Sequence, residues 1–327
     1  MTTLAMHEKS WDAIRDRLMA LDLTLDIATF ADAAVYSVND QRIPAEEAEI
    51  DYLWLRTDVT TEGVRDAVFD NVLRAKRVGV LQTFNAGLDH PFYRALADKG
   101  TRICNSSAQG VAIAEYVFAQ VMSVLHPIAD QRQMQADRDW RVTPFREISQ
   151  THWLVVGHGP IGQALTKRLK AFEADVSVIR RTAAPTDHAD WVGVASDLRS
   201  FLPDADVVVL ACPLNDQTRG LCDSRFFAAM KPGAIIVNIS RGSVINDAAL
   251  IKALDTGRLS TAILDVFHAE PLPDDDPLWT HPNVRLTPHT SFAGDGGQGR
   301  WDQLFLDNIA RFAAGEPLGQ EVYPALI

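Results

Sequence analysis

Cysteine is scarce in this chain, and what there is forms no motif. Cys104, Cys212 and Cys222 are its three cysteines, widely spaced and without a Cys-x-x-Cys pair. That excludes a disulfide framework and a zinc ribbon, and leaves them to serve as small apolar residues. No stretch approaches the roughly 20 apolar residues of a membrane span. The N-terminus, with Glu8, Asp12 and Asp16 among its early residues, lacks a signal-peptide pattern. A cytoplasmic protein without a membrane partner is the expectation. Positive charge is also short: 31 Lys and Arg against 43 Asp and Glu give a net charge of -12. That balance argues against a nucleic-acid surface. There is no internal repeat and no low-complexity segment. What is present is 327 residues, 47% hydrophobic and 23% charged, enough for two domains of ordinary globular composition.

The most informative stretch runs from Thr151 to Thr182. Trp153 to Val156 is a short apolar run suited to a buried parallel strand, and it leads into Gly157-His158-Gly159-Pro160-Ile161-Gly162. In a Gly-x-Gly-x-x-Gly turn the first glycine allows the tight turn, the second the close approach of a pyrophosphate, and the third the packing of helix on strand. Pro160 suits a first helical turn, where its missing N–H is not needed. Leu165, Leu169 and Phe172 follow at helical spacing, and Val176, Val178 and Ile179 form the next strand. A lone glycine turn is weak evidence. Strand, turn, helix and strand in register point to dinucleotide binding.

Before this unit, Met1 to Leu21 carries one amphipathic helical pattern (Trp11, Ile14, Leu18), and strands are expected at Leu23–Phe30, Tyr52–Leu55, Arg77–Thr83 and Thr101–Cys104. A long helix begins near Ser106 and ends by Pro127. The polar, weakly periodic residues 129–146 bridge to Trp153. After it, strands are expected at 205–212, 234–239, 262–266 and 284–286, and an amphipathic helix at 300–314. Because the glycine turn starts near residue 157, a domain precedes it. The last helix is left over after the dinucleotide unit and is expected to return to that first domain.

Three residues follow strands where ligands bind in open α/β sheets: Arg241 after Ile236-Val237-Asn238-Ile239-Ser240, Glu270 after Leu264-Asp265-Val266-Phe267, and His289 after Thr287-Pro288. A guanidinium fork can bind a carboxylate and polarise a carbonyl. A histidine can donate the proton, and a carboxylate beside it favours the imidazolium and orients the ring. Each alone is a poor candidate, since loop arginines and glutamates are usually solvated. In this order, at strand ends, they are a good candidate for a site.

With Asn238-Ile239-Ser240-Arg241-Gly242, Leu264-Asp265-Val266-Phe267, Glu270-Pro271-Leu272, Thr287-Pro288-His289, the loop Asn85-Ala86-Gly87-Leu88-Asp89 and the helix around Ile113-Ala114-Glu115, the chain resembles the D-isomer-specific 2-hydroxyacid dehydrogenases from about Val78 to about Asn308. The resemblance implies two Rossmann-like domains of α/β class. A doubly wound parallel-sheet cofactor domain (104–293) is inserted in a smaller flavodoxin-like substrate domain (1–103 plus 294–327). It implies that His289 is the general acid, Glu270 its partner and Arg241 the substrate-binding cation. It also implies that the N–H groups of Ala86 and Gly87 hold the substrate carboxylate, and that Asp265 contacts the nicotinamide end of the cofactor. Further cofactor contacts are implied for Ile161, Cys212, Pro213, Thr218, Ile239, Arg241 and His289. Small 2-oxo acids such as glyoxylate, hydroxypyruvate or pyruvate are the implied substrates. A homodimer through the Ile113–Leu125 helix and the segment near Trp140 is the implied assembly.

The cofactor is read from the second strand's end. NAD-binding units place an acid roughly 20 residues past the glycines, on the ribose 2′-hydroxyl. Here Arg180 stands at that place, followed by Arg181 and Thr182, so NADPH is expected over NADH. Short-chain dehydrogenases are excluded because no tyrosine has a lysine four residues on. Glu270, where formate dehydrogenases carry glutamine, disfavours that class. A corepressor-like protein that binds the cofactor as a signal is the rival of another kind, and the acidic charge and absence of tails make it the weaker reading. Trp54, Arg56, Phe84, Phe292 and Trp301 are candidates to shape a pocket, with core packing the plainer role for the aromatics. His152, His158, His268 and His281 are expected at the surface or in turns.

Overall fold

The computed structural model describes residues 1–324, and the chain divides into two compact units. Met1–Gln109 and the chain from Asp295 onward form one, and Gly110–Gly294 the other. The changes of unit at 109 and 294 compare with 103 and 293 read from the sequence.

The first unit holds strands β1 (Thr2–His7), β2 (Leu25–Phe30), β3 (Val35–Val38), β4 (Gln41–Pro44), β5 (Glu49–Leu55), β6 (Arg77–Thr83) and β7 (Arg102–Cys104). In space they run β7-β6-β5-β1-β2-β3-β4, and the short strand Glu321–Val322 pairs antiparallel with β7. The parallel strands β2-β1-β5-β6-β7 have the flavodoxin-like order. β1 corrects the sequence reading, which gave Met1 to Leu21 one helical pattern and no strand; the helix is confined to Glu8–Met19. Leu4, Ala5 and Met6 are fully buried, so the strand lies inside the sheet and shows no alternation. The β3–β4 hairpin is a second feature that reading lacked. It turns at Asn39 and Asp40, with φ of 48 and 65, the left-handed pair a tight hairpin requires.

The second unit holds β8 (His152–Val156), β9 (Asp175–Ile179), β10 (Trp191–Gly193), β11 (Val207–Leu210), β12 (Ala234–Asn238), β13 (Leu259–Leu264) and β14 (Val284–Leu286). All pair in parallel, in the order β10-β9-β8-β11-β12-β13-β14. This is the doubly wound order, with the three-residue β10 added to the strands expected from sequence. Central strands such as Val207–Leu210 are buried on both faces, as helices cover both sides of the sheet. The Gly110–Leu125 helix packs Ile113, Val117 and Val121 into this core.

Residues expected as a plain bridge instead form the Ile128–Asp137 helix and an extended arm. The arm leaves Trp140 (101%), Val142 (91%) and Phe145 (53%) exposed. It is tied back by Arg146, whose guanidinium lies 2.8 Å from the Asp206 carboxylate, with Lys231 at 2.6 Å on the other oxygen. Burial alone would raise the Asp206 carboxyl, but hydrogen bonds from Lys231, the His152 N–H and Arg146 outweigh it and hold it below the usual range. Among the described residues no single helix is long and apolar enough to cross a membrane.

Candidate active site

β8 ends in the glycine turn, and the three glycines do different things. Gly157 has φ +103, and a Cβ there would lie 2.4 Å from the Ala211 carbonyl oxygen, so glycine is required twice over. A Cβ on Gly162 would lie 2.3 Å from the Gly157 carbonyl oxygen, which is how closely the helix seats on the turn. A Cβ on Gly159 would meet nothing within 4 Å. The space in front of the Pro160–Ala171 helix is therefore open. No side chain caps that helix, because Gly159 is the N-cap and Pro160 follows. Open space before uncapped first-turn N–H groups, Ile161 and Gly162 among them, suits a pyrophosphate. The turn lies where β8 and β11 part, the switch point at which such sheets bind ligands.

Across that crevice β11 runs into Cys212 and Pro213. Burial pushes the Cys212 thiol up to about 11, so it acts as a small apolar wall. The Thr218 hydroxyl closes its own turn, donating to the Pro213 carbonyl at 2.7 Å and accepting from the Asn215 N–H at 2.8 Å. Ile239 is buried at the end of β12. At the end of β9, the Arg180 N–H donates to the Gly193 carbonyl at 3.0 Å, while Arg181 and Thr182 are exposed. Among the described residues no carboxylate pairs with Arg180 or Arg181.

His158 departs from expectation: it is 7% exposed, with Nε2 3.1 Å from the Thr166 hydroxyl. Burial, then the charges of Arg180 and His188, lower its pKa. His268 is also tied down, with Nε2 2.9 Å from the Ile245 carbonyl oxygen.

The residues that carry chemistry lie at the ends of β12, β13 and β14. Asn238 shapes the first loop: its Oδ1 accepts from the Ser240 N–H and hydroxyl at 3.1 and 2.8 Å, and its amide donates to the Arg241 carbonyl at 3.0 Å. Gly242 then passes so close to the β13 loop that a Cβ would lie 2.0 Å from the Phe267 carbonyl carbon. Arg241 is thereby set beside the loop that carries Glu270. Glu270 uses both oxygens. Oε1 accepts from the Phe267 N–H at 2.9 Å, and Oε2 lies 2.7 Å from His289 Nδ1. Because an ionised carboxylate only accepts, Nδ1 carries the hydrogen and Nε2 is left for another partner. Asp265, 1% exposed, takes donors from the histidine's own loop: the Thr287 hydroxyl (2.6 Å), the Thr290 N–H (2.8 Å) and the Ser291 N–H (3.0 Å). Phe292 is half-exposed, its ring centroid 6.3 Å from that of His289.

In the first unit, the loop after β6 is pinned by its carbonyls. Asn105 donates to the Ala86 carbonyl at 2.7 Å, the Ser106 N–H to that of Asn85 at 2.9 Å, and the Asn85 amide to the Tyr93 hydroxyl at 2.9 Å. The N–H groups of Ala86 and Gly87 have no hydrogen-bond partner among the described residues, which suits them to an anion. Trp54 stacks on Phe305 at 3.9 Å inside the core, and Phe84 lies edge-on to Trp301 at 6.4 Å. Arg56 is paired with Asp58 and Asp302.

A phosphate-binding turn on a doubly wound sheet, followed by an arginine and a hydrogen-bonded His–Glu pair at the strand ends, defines a dinucleotide-dependent oxidoreductase. Comparison with known proteins supplies the family. The model for the NAD-binding domain of D-isomer-specific 2-hydroxyacid dehydrogenases matches residues 118–291, and the chain belongs to that family. It is 28% identical to the human glyoxylate reductase/hydroxypyruvate reductase, covering 87% of this chain and 89% of the relative. A family member from Aeromonas salmonicida superposes with a TM-score of 0.78 at 29% identity, covering 99% of both chains. Another from Xanthobacter autotrophicus, solved with NADPH and MES, gives 0.79 at 25% identity over 99% of this chain and 98% of that one. The chain is thus an NAD(P)-dependent oxidoreductase of the kind that interconverts 2-oxo and 2-hydroxy acids. Asn238 and Thr287, which shape the site from behind, lie in motifs the sequence made visible but had no role assigned there, and Tyr116 carried no signal that would have assigned it this work.

Proposed function

We propose that the protein reduces a small 2-oxo acid of the glyoxylate, hydroxypyruvate or pyruvate type to the D-2-hydroxy acid, with NADPH preferred over NADH. The observation that carries this is the His289–Glu270 pair, in which Nδ1 is held at 2.7 Å and Nε2 remains for another partner. When bound, the dihydronicotinamide supplies the hydride for the carbonyl carbon. Nε2–H of His289 gives its proton to the carbonyl oxygen, and Glu270 stabilises the imidazolium before the transfer. Arg241 binds the substrate carboxylate and draws electron density toward the carbonyl oxygen. The free N–H groups of Ala86 and Gly87 suit a carboxylate. Asp265 would border the nicotinamide end of the bound cofactor, and Cys212, Pro213, Thr218 and Ile239 would line the rest of it. NADPH is favoured because Arg180 and Arg181 stand where an acid would repel a 2′-phosphate, with Thr182 beside them. The Xanthobacter relative solved with NADPH supports this reading.

The working form is a homodimer. In the Gly110–Leu125 helix, Ile113, Val117 and Val121 are used up in its own core. The surface for a second copy is therefore the outer side of that helix and the arm with Trp140, Val142 and Phe145.

The function is tested by His289→Ala. Loss of a positioned acid should lower kcat about 10²- to 10⁴-fold, and NADPH affinity, read from cofactor fluorescence, should change far less. A variant with near-normal kcat would remove His289 from the mechanism.

A further inference from the structure

We propose that Tyr116, acting through Thr287, is a positioning residue for His289. This rests on His289 being the acid of the proposed reaction. His289 sits in the left-handed region, φ 48, a conformation that non-glycine residues hold only when their surroundings enforce it. The enforcement is visible. Within the loop the His289 N–H donates to the Thr287 carbonyl at 2.9 Å. Asp265 grips the chain on both sides, at Thr287 before the histidine and at Thr290 and Ser291 after it.

The chain of hydrogen bonds does not stop at Thr287. Tyr116 places its hydroxyl 2.7 Å from the Thr287 Oγ1. A threonine hydroxyl has one hydrogen, and this one goes to the Asp265 carboxylate at 2.6 Å, which cannot donate in return. Tyr116 must therefore be the donor to Thr287. The sequence Tyr116, Thr287, Asp265 is polarised in one direction, and each bond strengthens the next. Burial first of all, and the Asp265 charge, raise the Tyr116 phenol, so it keeps its proton and remains a donor through the neutral range. Tyr116 is carried by the Gly110–Leu125 helix, whose Val117 and Val121 are fully buried. A helix fixed in the core thus sets the Thr287 side of the histidine loop, and with it the approach of Nδ1 to Glu270.

The test uses Tyr116→Phe, which removes the hydroxyl and keeps the ring, Thr287→Val, which cuts the chain, Thr287→Ser, which restores it, and the double variant Tyr116→Phe/Thr287→Val. Each is assayed for 2-oxo acid reduction with NADPH, for thermal unfolding, and for the ¹H–¹⁵N signals of the His289 ring in the free protein. The expected result is a kcat about 3- to 10-fold lower in Tyr116→Phe, the range of one hydrogen bond, with KM for NADPH within twofold of the parent. The double variant should be no slower than Thr287→Val alone, and Thr287→Ser should be close to the parent. Losses that multiply, or a Tyr116→Phe variant that only melts earlier at full kcat, would overturn the proposal. If the parent reduces no 2-oxo acid, the functional reading has failed. The ring signals then decide the clamp alone: broadened or doubled in Tyr116→Phe and Thr287→Val, they support it, and unchanged, they refute it.

Discussion

Glu270 illustrates how a single side chain does two jobs. One oxygen is fixed by the backbone of its own loop and the other by the histidine, so neither residue has to be ordered when substrate arrives. His158 shows the opposite case, a titratable ring held where charge is unwelcome. Its pKa is lowered from 6.5 by burial, helped by Arg180 and His188. The native ring therefore binds a proton more weakly than the unfolded chain does. Below about pH 6.5 the unfolded state takes up a proton that the native state refuses, so stability falls with pH until the native ring also titrates. Urea midpoints at pH 7 and pH 5 should accordingly drop less in His158→Gln than in the parent protein. Equal drops would mean that His158 is not part of the acid response.

At the scale of elements, the proposed preference for NADPH rests on the end of β9. Arg180→Ala combined with Arg181→Ala should raise KM for NADPH about 10- to 100-fold, as expected for lost charge-assisted hydrogen bonds, and leave KM for NADH nearly unchanged. Equal effects on both would show that the arginines do not read the phosphate. Elements differ in how legible they were. β6 and β14 match their sequence ranges because each is bounded by turns and loops and has a clear apolar run. β1 was hidden because it is buried on both faces and runs straight into a helix, so it shows neither alternation nor punctuation. The three residues of β10 are too few for any period. In the Ile128–Asp137 helix only Met134 is buried, which leaves almost no apolar face to recognise. The glycine turn and the Arg241, Glu270 and His289 loops were readable because their chemistry depends on local spacing. The bond between Tyr116 and Thr287 was not, since it joins residues 171 apart in the chain.

For the molecule as a whole, the exposed arm is the feature a lone chain does not explain. Trp140 and Val142 stay almost wholly exposed within one copy and Phe145, stacked on His126, about half so, and symmetric pairs are the commonest way to cover such a surface. Light scattering at micromolar concentration should give twice the mass of one 36.1 kDa chain, and a single-chain mass would rule the pairing out. The central claim concerns what the whole molecule turns over. It is tested most directly by initial rates with glyoxylate, hydroxypyruvate, pyruvate and bulkier 2-oxo acids, each with NADPH and with NADH. The account predicts saturable reduction of at least one small 2-oxo acid, with kcat/KM about tenfold or more in favour of NADPH, the order of one charge-assisted hydrogen bond. Equal kcat/KM for the two cofactors would contradict the reading of Arg180 and Arg181, and no turnover of any 2-oxo acid would contradict the account itself.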